Sequence, residues 1–290
     1  MPALSKDQMI RRVVAPIIEA MKQGELLWLR GWNQGGGGGL NWNPSKPENS
    51  QEYTGGINNL LMWIESVRMN YAGDNRWMTY KQAKKSGWQV RKGSKGLEVY
   101  RPDGYWYNDQ KDGGKRKFRL KGWHTYKVFN GSQIDRLPDP SEDNGTDVLT
   151  GYERAQALVD AIGITTVHGG NIAGYSPKQD AIVMPNPGQF NTADGYWATR
   201  LHENVHATGH TSRLDRDLFD SGMKAYAREE LVAELGAAFA SSWLGIEKTE
   251  LTQNHAAYLQ HWLKQLENKP EIFTEAVGQA WKAFKWMRTQ

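Results

Sequence analysis

The chain has 290 residues, with 36 Lys and Arg against 32 Asp and Glu, a formal charge of +4, 13 Trp and no Cys. That length holds one large domain or two ordinary ones. The lack of cysteine excludes disulfides, thiolate metal ligands and a cysteine nucleophile, and no apolar run is long enough to cross a membrane.

The N-terminus lacks the basic, apolar and small-residue succession of a secretory leader, so the expected compartment is the cytoplasm. Charge divides unevenly. Residues 1–136 hold 23 basic and 12 acidic side chains, which is +11; residues 137–290 hold 13 and 20, which is −7. Opposite signs predict two domains with different partners, the basic one facing nucleic acid or another anionic surface.

In chain order, residues 4–29 read as a helix. Ser5 and Gln8 form a capping-box pair, and Ile10, Val13, Val14, Ile17, Ile18 and Met21 recur at helical spacing. Gly35 to Gly39 have no side chains to bury and read as a flexible loop between Trp32 and Trp42. In YTGGINNLLMWIESVRMNY a turn at Gly55–Gly56 leads into a helix opened by Asn58 or Asn59. WMTYKQAKKSG is a short helix stopped by Gly87, WQVRKGSKGLEVYRP two short strands around a Gly–Ser–Lys–Gly turn, and residues 105–129 a basic hairpin with KDGGKRK at its tip. LPDPSEDNGTD, residues 137–147, has linker composition. Helical patterns then cover 150–162, 196–208, 225–244, 253–266 and 270–287, with one short apolar strand, QDAIVMP, at 179–185. The expected fold class is α+β in two domains. An N-terminal α+β domain with an antiparallel sheet spans 1–136, the linker 137–147, and a mainly helical C-terminal domain 148–290.

The densest chemistry lies in RLHENVHATGH, residues 200–210. His202, Glu203 and His206 make an H-E-x-x-H pattern. Positions four apart on a helix lie on one face roughly 6 Å apart, so two imidazoles can reach one divalent ion. Glu203 then stands beside the ion as a base for a water that the ion has acidified. Trp197, Leu201, Val205 and Thr208 make this helix partly buried, and buried histidines need a partner. A third ligand is needed. His210 continues the spacing, but Gly209 ends the helix before it, and the three-histidine proteases place their last ligand where this chain has Ser212. The better source is AREELVAELGAAFA, residues 227–240, where Glu230 and Glu234 share a face beside Ala233, Gly236, Ala237 and Ala240. Small residues let this helix approach another closely. Glu230 is the candidate ligand, Glu229 and His210 its rivals, and Glu234 the acceptor for a ring N–H. Such a set suits zinc first, with Mn or Co also fitting.

H-E-x-x-H followed by this acidic helix resembles the zincin metallopeptidases whose third ligand is a glutamate. The resemblance implies that QDAIVMP is a strand edge that pairs extended substrate, and that a Tyr or His supports the oxyanion, with Tyr226, His255 and His261 available.

The other signal lies in RWMTYKQAKKSGWQVRKGSKGLEVY, residues 76–100, with seven basic residues and only Glu98 acidic. Basic groups track a phosphate backbone and interleaved rings stack unpaired bases, which favours single strands over duplex. The candidates are Tyr53, Arg76, Tyr80, Lys81, Lys84, Trp88, Arg91, Lys92 and Lys95, while Trp63 and Trp77 are expected in the core. YTGGINNLLMW, WMTYKQAKKSGWQVRKGSKG and YKVFNGSQID resemble the N-terminal domain of the ArdC plasmid antirestriction family, a domain shared with some plasmid primases. YAREELVAELGAAF with the H-E-x-x-H completes the same architecture. The resemblance implies non-specific single-stranded DNA binding, protection of incoming conjugative DNA from host restriction, and a protein substrate drawn from the host restriction system.

Overall fold

The structure, a computed structural model, describes residues 3–23, 39–48, 51–71, 74–138, 150–216, 218, 223–246 and 255–290. Gly35 to Gly38, residues 24–29 of the first expected helix and most of the expected linker lie outside the described residues.

Helix α1 (Lys6–Lys22) starts at the expected box: Ser5 Oγ accepts from the Gln8 backbone and the Gln8 side chain accepts from the Ser5 backbone. Its stripe, Met9, Ile10, Val13, Val14, Ile17 and Met21, is buried. Helix α2 (Gly56–Met69) begins at Gly55 rather than at an asparagine. Asn58 instead bonds the Tyr100 backbone in both directions, and Asn59 is buried against Asn41 and the Tyr53 carbonyl.

Strand β1 (Trp77–Thr79) leads directly into α3 (Tyr80–Lys85), capped by a Thr79–Gln82 box. Strands β3 (Leu97–Asp109) and β4 (Lys115–Asn130) form the expected hairpin, and β1 adds to the other edge of β4, giving an antiparallel sheet in the order β1-β4-β3. One expectation fails here. Strand β2 (Gln89–Val90) pairs with β5 (Ile134–Asp135), not with β3. The Gly–Ser–Lys–Gly segment is not a hairpin turn; it wraps Gln133, whose side chain donates to the Lys95 carbonyl.

The C-terminal half is α4 (Gly151–Ile162), β6 (Thr165–His168), β7 (Gly174–Ser176), β8 (Ala181–Met184), α5 (Ala193–Ala207), α6 (Met223–Leu244), α7 (His255–Asn268) and α8 (Glu271–Arg288). The expected single strand is one of three, and it is central: β8 pairs parallel with β6 and antiparallel with β7. Both its edges are occupied, so β8 does not offer an extended chain the free edge that the resemblance implied.

The largest core runs through both halves. It joins α1 and α2 to α4, α5, α6, α7 and α8, with Trp63, Phe239, Trp262, Phe273, Trp281 and Phe284 at its centre. Polar ties cross the same boundary. Trp281 Nε1 donates to the Thr54 carbonyl at 2.7 Å, and Arg288 forks onto Glu52 at 2.7 and 2.8 Å. No helix among the described residues is long and apolar enough to cross a membrane.

Candidate metal centre

Helix α5 begins where Thr192 accepts from the Gly195 backbone, and its apolar residues Trp197, Leu201 and Val205 are buried. That burial fixes the rotation of the helix and sets His202 and His206 toward α6. Helix α6 comes close because Gly236 faces Val205: a Cβ at Gly236 would lie 2.8 and 2.9 Å from the two Val205 methyls. The small-residue strip read from the sequence is this contact.

Across the seam, the Nε2 atoms of His202 and His206 are 3.1 Å apart, and each lies 3.5 Å from a Glu230 carboxylate oxygen. Donor atoms of these three residues all fall within 4.8 Å of one another. Two nitrogens bound about 2.05 Å from one tetrahedral ion stand about 3.3 Å apart, so the spacing fits a shared ion. The tautomers fit as well. His206 Nδ1 is 3.3 Å from Glu229 Oε1 and His202 Nδ1 is 3.7 Å from Glu234 Oε1. A carboxylate only accepts, so His206 Nδ1 donates to Glu229, and a bound ion would take the place of the proton on its Nε2. Two lone pairs at 3.1 Å repel unless a cation or a proton lies between them.

The electrostatics agree. Burial pushes the Glu230 carboxyl up, but hydrogen bonds from His202 and His206 and their charge outweigh it and hold it far below the usual carboxylate range. Burial pulls His206 down, yet Glu229 and Glu230 raise it to about 9. The pocket is therefore rich in negative potential and favours a cation.

Sequence reasoning missed two parts. Glu229 stands outside the cluster of three: it is buried, and Arg216 bonds both its oxygens at 2.7 and 3.2 Å. Arg216 also donates to Thr208 Oγ1 and to the Val205 carbonyl. The signal for Glu229 was the Glu–Glu doublet, whose neighbours a helix turns about 100° apart; nothing local marked Arg216. His210 turns away, its Nδ1 2.7 Å from Ser212 Oγ. Glu203 is buried on α5 beside His202. Tyr226 is exposed, and the Glu230 charge, followed by burial, raises its hydroxyl. The side chains of His255 and His261 lie outside the described residues.

Residues 153–278 match the zincin-like metallopeptidase family, and residues 7–131 match the N-terminal domain of the anti-restriction factor ArdC. A solved structure of the antirestriction ArdC protein of plasmid R388, metal-free, is 33% identical over 97% of this chain and 96% of that one, with a TM-score of 0.76. This chain belongs to the ArdC antirestriction family. The Mn(II)-bound form of the R388 ArdC protein gives a TM-score of 0.74 at the same identity, covering 97% of both chains. An uncharacterised protein of Sinorhizobium fredii, y4eC, is 32% identical over 96% of this chain and 91% of its own length. Two Escherichia coli DNA primases, both TraC, are 37% identical, and the chain spans only 19% and 26% of their lengths.

In the ArdC-type N-terminal half, the strand-binding candidates separate. Tyr80, Lys81 and Lys84 are exposed on α3, and Lys92 and Lys95 are exposed on the loop before β3. Arg91 is exposed but paired with Asp135 at 3.2 Å. Trp88 is half-buried against Met78, Val90 and Ile134. Tyr53 donates to the Trp77 carbonyl at 3.0 Å, and burial raises its hydroxyl. Arg76 is a correction. It is 7% exposed, its guanidinium bonds Asp74 at 2.8 and 2.9 Å, and it donates to the Pro138 carbonyl. A buried, fully partnered guanidinium is not available to a phosphate.

Proposed function

We propose that this ArdC-family chain is an antirestriction protein of the cytoplasm. It binds single-stranded DNA without sequence preference, protects incoming conjugative plasmid DNA from host restriction, and carries a zincin-type peptidase centre. Its working units are residues 1–136 for DNA and 148–290 for the centre. The observation that carries the reading is the convergence of His202, His206 and Glu230, with the buried Glu203 following His202 on the same helix.

Two imidazoles and one carboxylate would hold a divalent ion, zinc first, with the Mn(II) of the R388 relative an equal fit by donor type. Such an ion polarises an amide carbonyl and acidifies water. The chain's own residues do the rest. Glu203 takes a proton from the attacking water and passes it to the leaving amine. Glu229 holds the His206 tautomer and Arg216 fixes Glu229, while Glu234 faces His202 Nδ1 at 3.7 Å. Tyr226, exposed and close enough to Glu230 for its charge to raise the hydroxyl, would be the donor to a developing oxyanion. Exposed Tyr80, Lys81, Lys84, Lys92 and Lys95 supply charge and a stacking ring for DNA, and the protein substrate belongs to the host restriction system.

One observation favours a second reading. The histidines and Glu230 bolt α5 to α6, so the ion could serve structure alone in a DNA-binding protein. Glu203→Ala separates the two. It deletes the base and no ligand, and the readout is transfer of an unmodified plasmid into restricting and non-restricting recipients. The peptidase reading expects protection to vanish in the restricting recipient only. Full protection by Glu203→Ala would leave the structural reading standing.

A further inference from the structure

Beyond Asp103 the β3–β4 hairpin leaves the body of the molecule. Strand β1 pairs only as far as Val128–Asn130, and a bulge at Asp103/Gly104 shifts the register. From Gly104 to Leu120 the two strands form a ribbon to which no further described strand is added. A bare ribbon normally carries polar side chains on its solvated faces. This one carries Tyr105, Trp106, Tyr107, Phe118 and Leu120, all exposed, Trp106 at 58%. Residues 101–127 also hold eight basic and three acidic side chains.

The arrangement is ordered by face. Odd-numbered residues of β3 share one side, so Arg101, Asp103, Tyr105 and Tyr107 lie in a row, with Asp103 3.6 Å from His124. Arg119 and Lys117 stand opposite the two tyrosines, Lys117 bonded to Asp109 at 2.8 Å, and Lys121 is the extra residue of the bulge. Lys121 Nζ sits 5.0 Å from the Tyr105 ring, and the Tyr105 and Tyr107 rings are 6.3 Å apart. At the foot of the row the Arg101 guanidinium lies 5.5 Å from the Tyr126 ring. Arg101 and Tyr126 in turn line a cavity of about 680 Å³, together with Tyr53, Trp123 and Trp281.

We propose that this arm is the main platform for single-stranded nucleic acid, the bases stacking on Tyr105 and Tyr107, the phosphates on Arg119 and Lys121, and the strand entering the cavity at Tyr126. The proposal rests on the DNA-binding reading above and moves its centre away from α3. Charge names the occupant: a row of cations interleaved with rings complements a polyanion that has free π-faces. A duplex offers the polyanion but hides the faces, and a protein partner would need no such excess of positive charge.

The test uses full-length protein with a labelled oligo(dT) strand, a duplex of the same length, and vesicles of phosphatidylglycerol and phosphatidylcholine as competitor. Tyr105→Ala with Tyr107→Ala should weaken binding of the strand tenfold or more, since one stacked base is worth roughly 5- to 150-fold. Arg119→Ala with Lys121→Ala should flatten the dependence of log affinity on log salt by about 1.4, the share of two phosphate contacts. All four residues are on the exposed arm; should the tyrosine pair fail to fold, the charge pair carries the test alone. Strand binding by the native protein with both variants unchanged would overturn the arm and leave the DNA reading standing. No strand binding by the native protein would sink both. Equal affinity for duplex, or displacement of the strand by vesicles in the native protein but not in the variants, would also overturn the proposal, the last by making the arm a membrane surface.

Discussion

Glu229 stands between the ligand His206 and Arg216. It holds the proton on His206 Nδ1 and is itself held by Arg216. Partners of this kind typically account for 10- to 100-fold in metal affinity. Glu229→Gln keeps the shape and removes the charge. It should weaken zinc binding by that factor in competition with a chromogenic chelator; unchanged affinity would take Glu229 out of the account. A second residue-scale device fastens the β7–β8 turn to the end of α5. Arg213 forks onto Asp180 and donates to the Tyr175 hydroxyl and the Ala207 carbonyl. The Arg213 hydrogen bond, with that of Tyr175 and against a smaller burial effect, lowers the Asp180 carboxyl from 3.8 to about 2. A depressed folded pKa means stability that is present above about pH 4 and is lost as pH falls through about 2. Asp180→Asn should therefore melt a few degrees below the native protein at pH 7, and the gap should close between pH 4 and pH 2. A gap that persists at pH 2 would show that the charge is not what binds the turn.

At the scale of elements, the α5–α6 seam decides whether the ligands meet. Alanine at Gly236 gains about 1 kcal/mol of helix propensity, but its Cβ would lie 2.8 Å from a Val205 methyl. Overpacking of that kind costs about 1–3 kcal/mol. Gly236→Ala should destabilise the protein and loosen the metal site together, read by thermal melting and metal affinity. A stabilised variant would show that the seam has slack. Helix α1 was legible in the sequence because its capping box, Ser5 with Gln8, and its apolar stripe are local; the boxes of Thr79 with Gln82 and Thr150 with Glu153 are equally local but went unread. H-E-x-x-H was legible because both histidines lie on one helix. What pairs with what was not. Strand β2 has two residues and no alternation to name its partner, which arrives more than forty residues later. Strand β8 reads as a single apolar strand because its neighbours β6 and β7 are short and largely polar or small. Arg76 stands in a basic aromatic run, and only the fold shows that it is turned inward onto Asp74. The rings of the hairpin were in plain sight, but their exposure depends on β1 stopping short.

At the scale of the molecule, the two family domains share one hydrophobic core. Helices α1 and α2 bury their stripes on α7 and α8, and Trp281 reaches back to Thr54. The opposite charges of the halves divide the surface, not the interior. Heating the full chain should give a single cooperative transition, calorimetric and van't Hoff enthalpies agreeing. Two resolved transitions would mean that the shared core contributes little.

The proposed divalent-metal centre lies between α5 and α6, with His202, His206 and Glu230 as its ligands and Glu203 as its base. Calorimetric titration of metal-stripped protein with zinc, and separately with manganese, tests it most directly. One ion per chain is expected, with no binding by His202→Ala or His206→Ala, weakened binding by Glu230→Ala, and native binding by Glu203→Ala and His210→Ala. Native affinity in Glu230→Ala with loss in His210→Ala, or no binding by the native protein, would contradict it.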